Sequence, residues 1–310
     1  MRNAFTARMA EIAATRKDVV LITNDAPTPP FLEFRKNYPD RFINAGLAEQ
    51  NMTGMAAGLA LSGKTVFTYS IIPFVMMRCY EQIRDDVCYQ NANVKVIGIG
   101  GGICYASLGG THTALEDVSL MRSIPNMTVI SPADAIEAKA VCDAVVEFKG
   151  PVYVRLGRAG EPILYDERNF KFKIGEPSVM KQGKDVAIIG YGPILVHALE
   201  AADKLKKMGI SVRVVNFPTL KPFDEKALLK IVKETGALIT LEEHSIRGGI
   251  ASIVSEILAK NQLAVPFTPI ALKDEWLTIY GKQTDLWNIL GLSVEDIKNA
   301  VKKVLKNKKE

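Results

Sequence analysis

Five short apolar runs punctuate the first half of this chain, at residues 19–22, 65–69, 94–99, 127–130 and 151–156. Stretches of helical periodicity separate them, at 3–16, 31–38, 74–89 and 134–148; the first repeats Phe5, Met9, Ile12 and Ala13 at helical spacing. Strands that alternate with helices pair in parallel, and a parallel sheet needs cover on both faces. The rhythm breaks at 159–184, a polar stretch with Pro162, Pro177 and Gly183. It resumes with strands at 185–189, 211–215 and 237–241 and with helices at 194–208, from Gly248-Gly249 to 258, and at 294–305. The fold class is therefore α/β with two domains. The first is expected at 1–165 and a smaller second at 185–310, with a linker at 166–184. Pro27, Pro29 and Pro30 forbid regular structure after the first strand.

With 310 residues, 48% apolar and 24% charged, the composition is that of an ordinary globular protein. The net charge of +5 is spread along the chain, apart from a lysine-rich end at 302–309. That end reads as a solvated, fraying helix terminus rather than a nucleic-acid arm. No run approaches the roughly 20 apolar residues that span a membrane, and the N-terminal stretch lacks a signal-peptide core. Cys79, Cys88, Cys104 and Cys142 form no CxxC pair and read as reduced thiols of a cytoplasmic protein. Gly190-Tyr191-Gly192 is a tight strand-to-helix turn rather than a dinucleotide fingerprint, because Leu195 holds the third glycine position. His112, His197 and His244 are too scattered for a metal cluster, so no metal ligand is expected in this chain.

Residues 44–61, NAGLAEQNMTGMAAGLAL, place one ionisable side chain, Glu49, at the head of an otherwise apolar, small-residue helix. Small side chains allow close packing against a backbone or a cofactor. A first-turn carboxylate is favoured by the helix dipole. A carboxyl buried among apolar neighbours instead holds a proton more readily and can serve acid–base chemistry. This stretch alone leaves both readings of Glu49 open.

Further motifs follow in order: Gly46-Leu47-Ala48-Glu49-Gln50-Asn51-Met52, Tyr80-Glu81-Gln82-Ile83-Arg84, Gly109-Gly110-Thr111-His112, Arg122-Ser123-Ile124-Pro125-Asn126-Met127, Ser131-Pro132-Ala133-Asp134, and Leu241-Glu242-Glu243-His244-Ser245-Ile246-Arg247-Gly248-Gly249. In this order the series resembles the C-terminal half of transketolase over nearly the whole chain, a pyrimidine-binding domain followed by the small C-terminal domain. Deoxyxylulose-phosphate synthase and the beta subunits of 2-oxoacid dehydrogenases share this two-domain half. The resemblance implies thiamine diphosphate as cofactor. In the family a separate domain with a GDG…N motif holds the diphosphate and its Mg2+ or Ca2+, and no GDG occurs here. It therefore implies a split enzyme, with an N-terminal transketolase subunit supplying that site. Homodimerisation of this chain through its first domain would then give a heterotetramer.

The resemblance also assigns roles. Glu49 matches the glutamate that hydrogen-bonds the aminopyrimidine and supports the imino tautomer that takes the thiazolium proton. Phe74 matches the aromatic that stacks on the pyrimidine, although the preceding Ser70-Ile71-Ile72 departs from the usual Ser-Thr-Phe. His112 matches the histidine that faces the reacting carbon. Arg158 and Arg2 match phosphate-binding arginines, and a guanidinium fork suits phosphate. His244 reads as structural or interfacial. The usual Gly-Glu-Asp-Gly before Thr-His is replaced by Ala106-Ser107-Leu108-Gly109. A histidine usual after the third strand is missing from Gly98-Ile99-Gly100-Gly101-Gly102, and Pro29 stands for a phosphate-contacting serine. Those groups hold sugar hydroxyls and phosphate, so substrates other than the standard pentose phosphates are implied. The expected activity is transfer of a two-carbon ketol unit from a ketose (phosphate) to an aldehyde in a specialised sugar pathway. A 2-oxoacid decarboxylase beta subunit, a deoxyxylulose-phosphate-type synthase and a non-catalytic scaffold are the alternatives.

Overall fold

The computed structural model describes residues 1–25 and 29–308; Pro27 lies outside them. The first half contributes β1 (Val19–Thr23), β2 (Phe42–Asn44), β3 (Thr65–Ile71), β4 (Val94–Ile99), β5 (Thr128–Ile130) and β6 (Val152–Leu156). The second contributes β7 (Ser178–Lys181), β8 (Val186–Gly190), β9 (Val212–Asn216), β10 (Thr219–Lys221), β11 (Leu238–Ser245) and β12 (Phe267–Leu272). They form a seven-stranded sheet ordered β10-β5-β6-β4-β3-β1-β2 and a five-stranded sheet ordered β12-β11-β8-β9-β7. All pairings are parallel except at two edges, β10 on β5 and β7 on β9.

Both faces of the larger sheet are covered, as its near-continuous apolar strands require. Helices Arg2–Thr15 and Ala135–Glu147 pack on one face through Phe5, Met9, Val141 and Val145. Helix Glu49–Leu61 and the helical run after β3 cover the other through Met52, Ala56, Val75 and Ile83. That run is helical over the expected 74–89 but irregular. Wide π-type turns at Pro73–Met77 and Ile83–Tyr89 flank Tyr80–Gln82, a departure that often marks functional sites.

Several elements differ from expectation. Residues 178–181, read as part of a linker, form the edge strand β7. β12 contains Pro269, which removes a donor and argues against a strand; its edge position makes the loss tolerable. Pro29-Pro30-Phe31 form one turn of 3-10 helix. The lysine-rich end does not fray at Lys308, whose ammonium donates to Thr235 O at 2.6 Å and Asp185 O at 2.9 Å.

The two halves interlock. β10 comes from the second half yet completes the first sheet, and Ser131 N donates to Pro218 O at 2.7 Å. One apolar cluster runs from Met52 and Met76 to Tyr191, Phe217 and Leu238. Within this joint, Arg155 Nε pairs with Asp117 Oδ2 at 2.8 Å, with almost no solvent exposure on either side chain. Arg155 Nη2 also donates to Glu243 O and Ala114 O, at 2.9 and 3.2 Å. Glu137 accepts from Ala133 N and from the Asn216 amide across the same joint. Burial pushes the Glu137 carboxyl up to about 8 from its ordinary 4.5.

Candidate active site

Glu49 is the first residue of helix Glu49–Leu61 and is 5% exposed. The end of β1 delivers Asn24 to it, and Asn24 Nδ2 donates to Glu49 Oε1 at 2.7 Å. Arg78 Nη1 lies 3.4 Å from the same oxygen. The carboxyl is therefore buried but not among apolar groups, which corrects the low-polarity surroundings considered from the sequence. Among the described residues both contacts fall on Oε1, leaving Oε2 without a protein donor. Beside it opens a cleft of ≈ 400 Å³ lined by Leu47, Ala48, Glu49, Gln50, Asn51 and Arg78.

A continuous line of contacts leads from Glu49 to His112. The Arg78 guanidinium lies over the Phe74 ring, 4.2 Å from its centroid. Phe74 meets the His112 ring edge-to-face at 5.3 Å, and His112 Nδ1 is 2.9 Å from Thr111 Oγ1. His112 sits on the loop after β4, at the carboxyl end of a parallel strand where such sheets place ligands. The loop is closed by paired backbone bonds between Gly102 and Ala114. Gly100 must be glycine, because its φ is +90° and a Cβ would lie 2.2 Å from Tyr105 Cδ2.

Arg2 and Arg158 meet at Tyr105, on the same loop, rather than at Glu49. The Arg158 guanidinium is 5.5 Å from the Tyr105 ring centroid, and the Arg2 charge also acts on the phenol. Burial raises that phenol above its ordinary value, and the two arginine charges oppose the rise. His244 is fully buried in β11; its Nδ1 faces Ser245 O at 2.8 Å and, among the described residues, Nε2 has no partner.

Sequence reasoning missed Asn24, Arg78 and Tyr105. Two carried a usable signal. Asn24 directly follows a strand end, and Arg78 stands four residues after Phe74 on a helical segment, the spacing that brings side chains together. Tyr105 carried none, since only the loop's closure brings Arg2 and Arg158 to it.

This set of groups suits the pyrimidine end of thiamine diphosphate. A buried carboxyl borders a cleft, an aromatic ring lies beyond Arg78, and among the described residues Asn24 Oδ1 is buried without a partner. Among the described residues no group of three His, Cys, Asp or Glu side chains could hold a metal ion.

Residues 1–160 match the transketolase pyrimidine-binding domain and residues 175–297 the transketolase C-terminal domain. The chain belongs to the transketolase family. It is 38% identical to an apulose-4-phosphate transketolase subunit of Phocaeicola vulgatus, covering 96% of this chain and 94% of that one. It is equally identical to a transketolase C-terminal section of Methanocaldococcus jannaschii, over 99% and 96%. A solved split-gene transketolase, an inactive beta4 tetramer, superimposes with a TM-score of 0.89 at 37% identity, over 99% of this chain and 98% of that one. The transketolase of Campylobacter jejuni shares the fold at a TM-score of 0.77 and 20% identity, and this chain spans 46% of it.

Proposed function

We propose that this chain is the C-terminal subunit of a split, thiamine-diphosphate-dependent transketolase. It would transfer a two-carbon ketol unit from a ketose phosphate to an aldehyde acceptor. The observation that carries the reading is the unbroken line Glu49–Arg78–Phe74–His112, whose Glu49–Arg78 end borders an open cleft, with one carboxyl oxygen free of donors among the described residues. Relatives of matching length, named as separate transketolase subunits or as a split-gene enzyme, support it.

When bound, the cofactor supplies the carbon nucleophile that accepts the ketol unit. Glu49 would hold the aminopyrimidine and share a proton with it. Asn24 fixes the carboxyl through Oε1. Arg78 covers the Phe74 face, so it must leave that face for a heterocycle to stack there. His112 would give and take protons at substrate oxygens, since imidazole does both under physiological conditions. Arg2 and Arg158, gathered at Tyr105, would bind a phosphate by charge-assisted forks.

Leu108 is 54% exposed in a loop where acidic residues would hold sugar hydroxyls. An apolar side chain there leaves such hydroxyls unpaired and favours acceptors or donors other than the pentose phosphates. Relatives named for apulose-4-phosphate and for 6-deoxy-6-sulfo-D-fructose are consistent with that direction. The diphosphate and its Mg2+ or Ca2+ would be held by an N-terminal transketolase subunit. Two copies of each chain would form a cytoplasmic heterotetramer.

The test is reconstitution with such a partner, assayed against a panel of ketose donors and aldehyde acceptors. Activity should require both chains, and calorimetry should find only weak cofactor binding by this chain alone. Tight, magnesium-dependent binding by the isolated chain, or an active complex with one copy of each, would refute the arrangement.

A further inference from the structure

The loop that carries His112 extends from the first sheet, but much of its footing comes from the second. At its start, Ile103 N donates to Glu243 Oε1 at 2.7 Å. Glu243 lies on β11, is 2% exposed, and is held from the other side by Gln283 Nε2, 2.9 Å from both carboxyl oxygens. Beyond the loop's end, Ser245 N donates to Leu115 O at 2.8 Å. In its middle, Tyr280 lies against Gly109, where a Cβ would come within 2.8 Å of Tyr280 Cε1. Gly109 O in turn accepts the backbone N–H of His112 at 3.0 Å. Gly102 packs so closely on Glu243 that a Cβ would lie 2.4 Å from Oε1, at a φ of +67°.

These contacts converge on one element. The buried carboxyl of Glu243 is engaged by the loop through Ile103 N and by Gln283. Burial pushes it up to about 7 from its ordinary 4.5, a cost that its hydrogen bonds offset. Tyr280 is 71% exposed, so its place against Gly109 adds little to the core.

We propose that the C-terminal domain sets the position of His112, with Glu243 and Tyr280 as its positioning residues; this rests on the role given to His112 above. A proton donor displaced by about 1 Å costs up to about a hundredfold in rate. The contact that matters at Tyr280 is the ring, so Tyr280→Phe should behave like the unmodified chain while Tyr280→Ala should not.

The experiment uses the complex reconstituted with its partner subunit and, separately, the full-length chain. In the complex, Tyr280→Ala should lower turnover roughly 10- to 100-fold, with Tyr280→Phe restoring it. Exchange of the cofactor's thiazolium proton, which depends on Glu49, should be unchanged, and so should the melting temperature. In the full-length chain, Tyr280→Ala and Glu243→Leu should each raise hydrogen exchange of the 103–113 backbone several-fold. The inference is overturned if Tyr280→Ala turns over within about twofold of the unmodified complex, or if turnover, proton exchange and melting temperature fall together. Unchanged protection of 103–113 in both variants overturns it as well. An unmodified complex that transfers no ketol unit refutes the functional reading instead, and the protection measurement then decides the footing on its own.

Discussion

Glu49→Gln separates the chemistry of the site from its architecture. The amide keeps an oxygen where Oε1 stands, so the 2.7 Å bond from Asn24 persists. The ion pair with Arg78 is lost, but it spans 3.4 Å and the Arg78 side chain is 55% exposed. Solvent screening limits such a pair to roughly 0.2–1 kcal/mol. The melting temperature should therefore move by only a few degrees at most. What disappears is the titratable proton. General acid–base assistance is worth roughly 10²–10⁴-fold, or about 3–5 kcal/mol at about 1.4 kcal/mol per decade. The catalytic effect thus exceeds the structural one several-fold. In the reconstituted complex, turnover should fall by that factor, with excess cofactor failing to restore it. Thiazolium proton exchange into deuterated water, measured by NMR without sugar, should slow in parallel. Exchange as fast as in the unmodified complex would refute the assignment of Glu49 as the activating carboxyl.

Arg78→Ala frees the Phe74 face while removing a charge from Glu49, so cofactor affinity of the complex should change with little loss of fold; an affinity and turnover both within twofold of the unmodified complex would show that Arg78 does not govern this face. Arg155→Met strands Asp117 and two backbone carbonyls in the joint between the halves, which costs about 3–5 kcal/mol. Thermal unfolding should begin roughly 6–20 °C lower, and a shift under about 2 °C would contradict it. Glu137 favours its protonated form in the folded chain, so its contribution is fully present below about 4.5 and is lost as pH rises through about 8. Glu137→Gln keeps the neutral form, and Asn216 Oδ1, now unpartnered, can turn to accept from the new amide. The variant should gain stability over the natural chain from pH 5 to 8, by at most about 5 kcal/mol. Denaturant midpoints that track each other across that range would place the Glu137 carboxyl among ionised groups.

Strands and helices that depend on local pattern were legible in the residues. The apolar runs that became β1, β3, β4, β6 and β8 lie inside sheets, where every side chain but that of Ile71 is buried, so the pattern is continuous. Glu49, Phe74 and His112 stood out as candidates by resemblance, since each sits in a local motif. The strands that escaped were edges: β2, β7 and β10 are three or four residues long, and β12 carries a proline. Edge strands bury less, so their sequences are less constrained, and their pairing is decided by where distant segments arrive. The same holds for the site. Asn24 and Arg78 reach one carboxyl oxygen from 25 and 29 residues away, and Glu243 reaches Ile103 across 140. Local sequence determined which chemical groups this protein has and the elements that carry them. Which groups distant in sequence touch was decided by the tertiary structure alone, because hydrogen bonds and packing act over a few ångströms in space and take no account of distance along the chain.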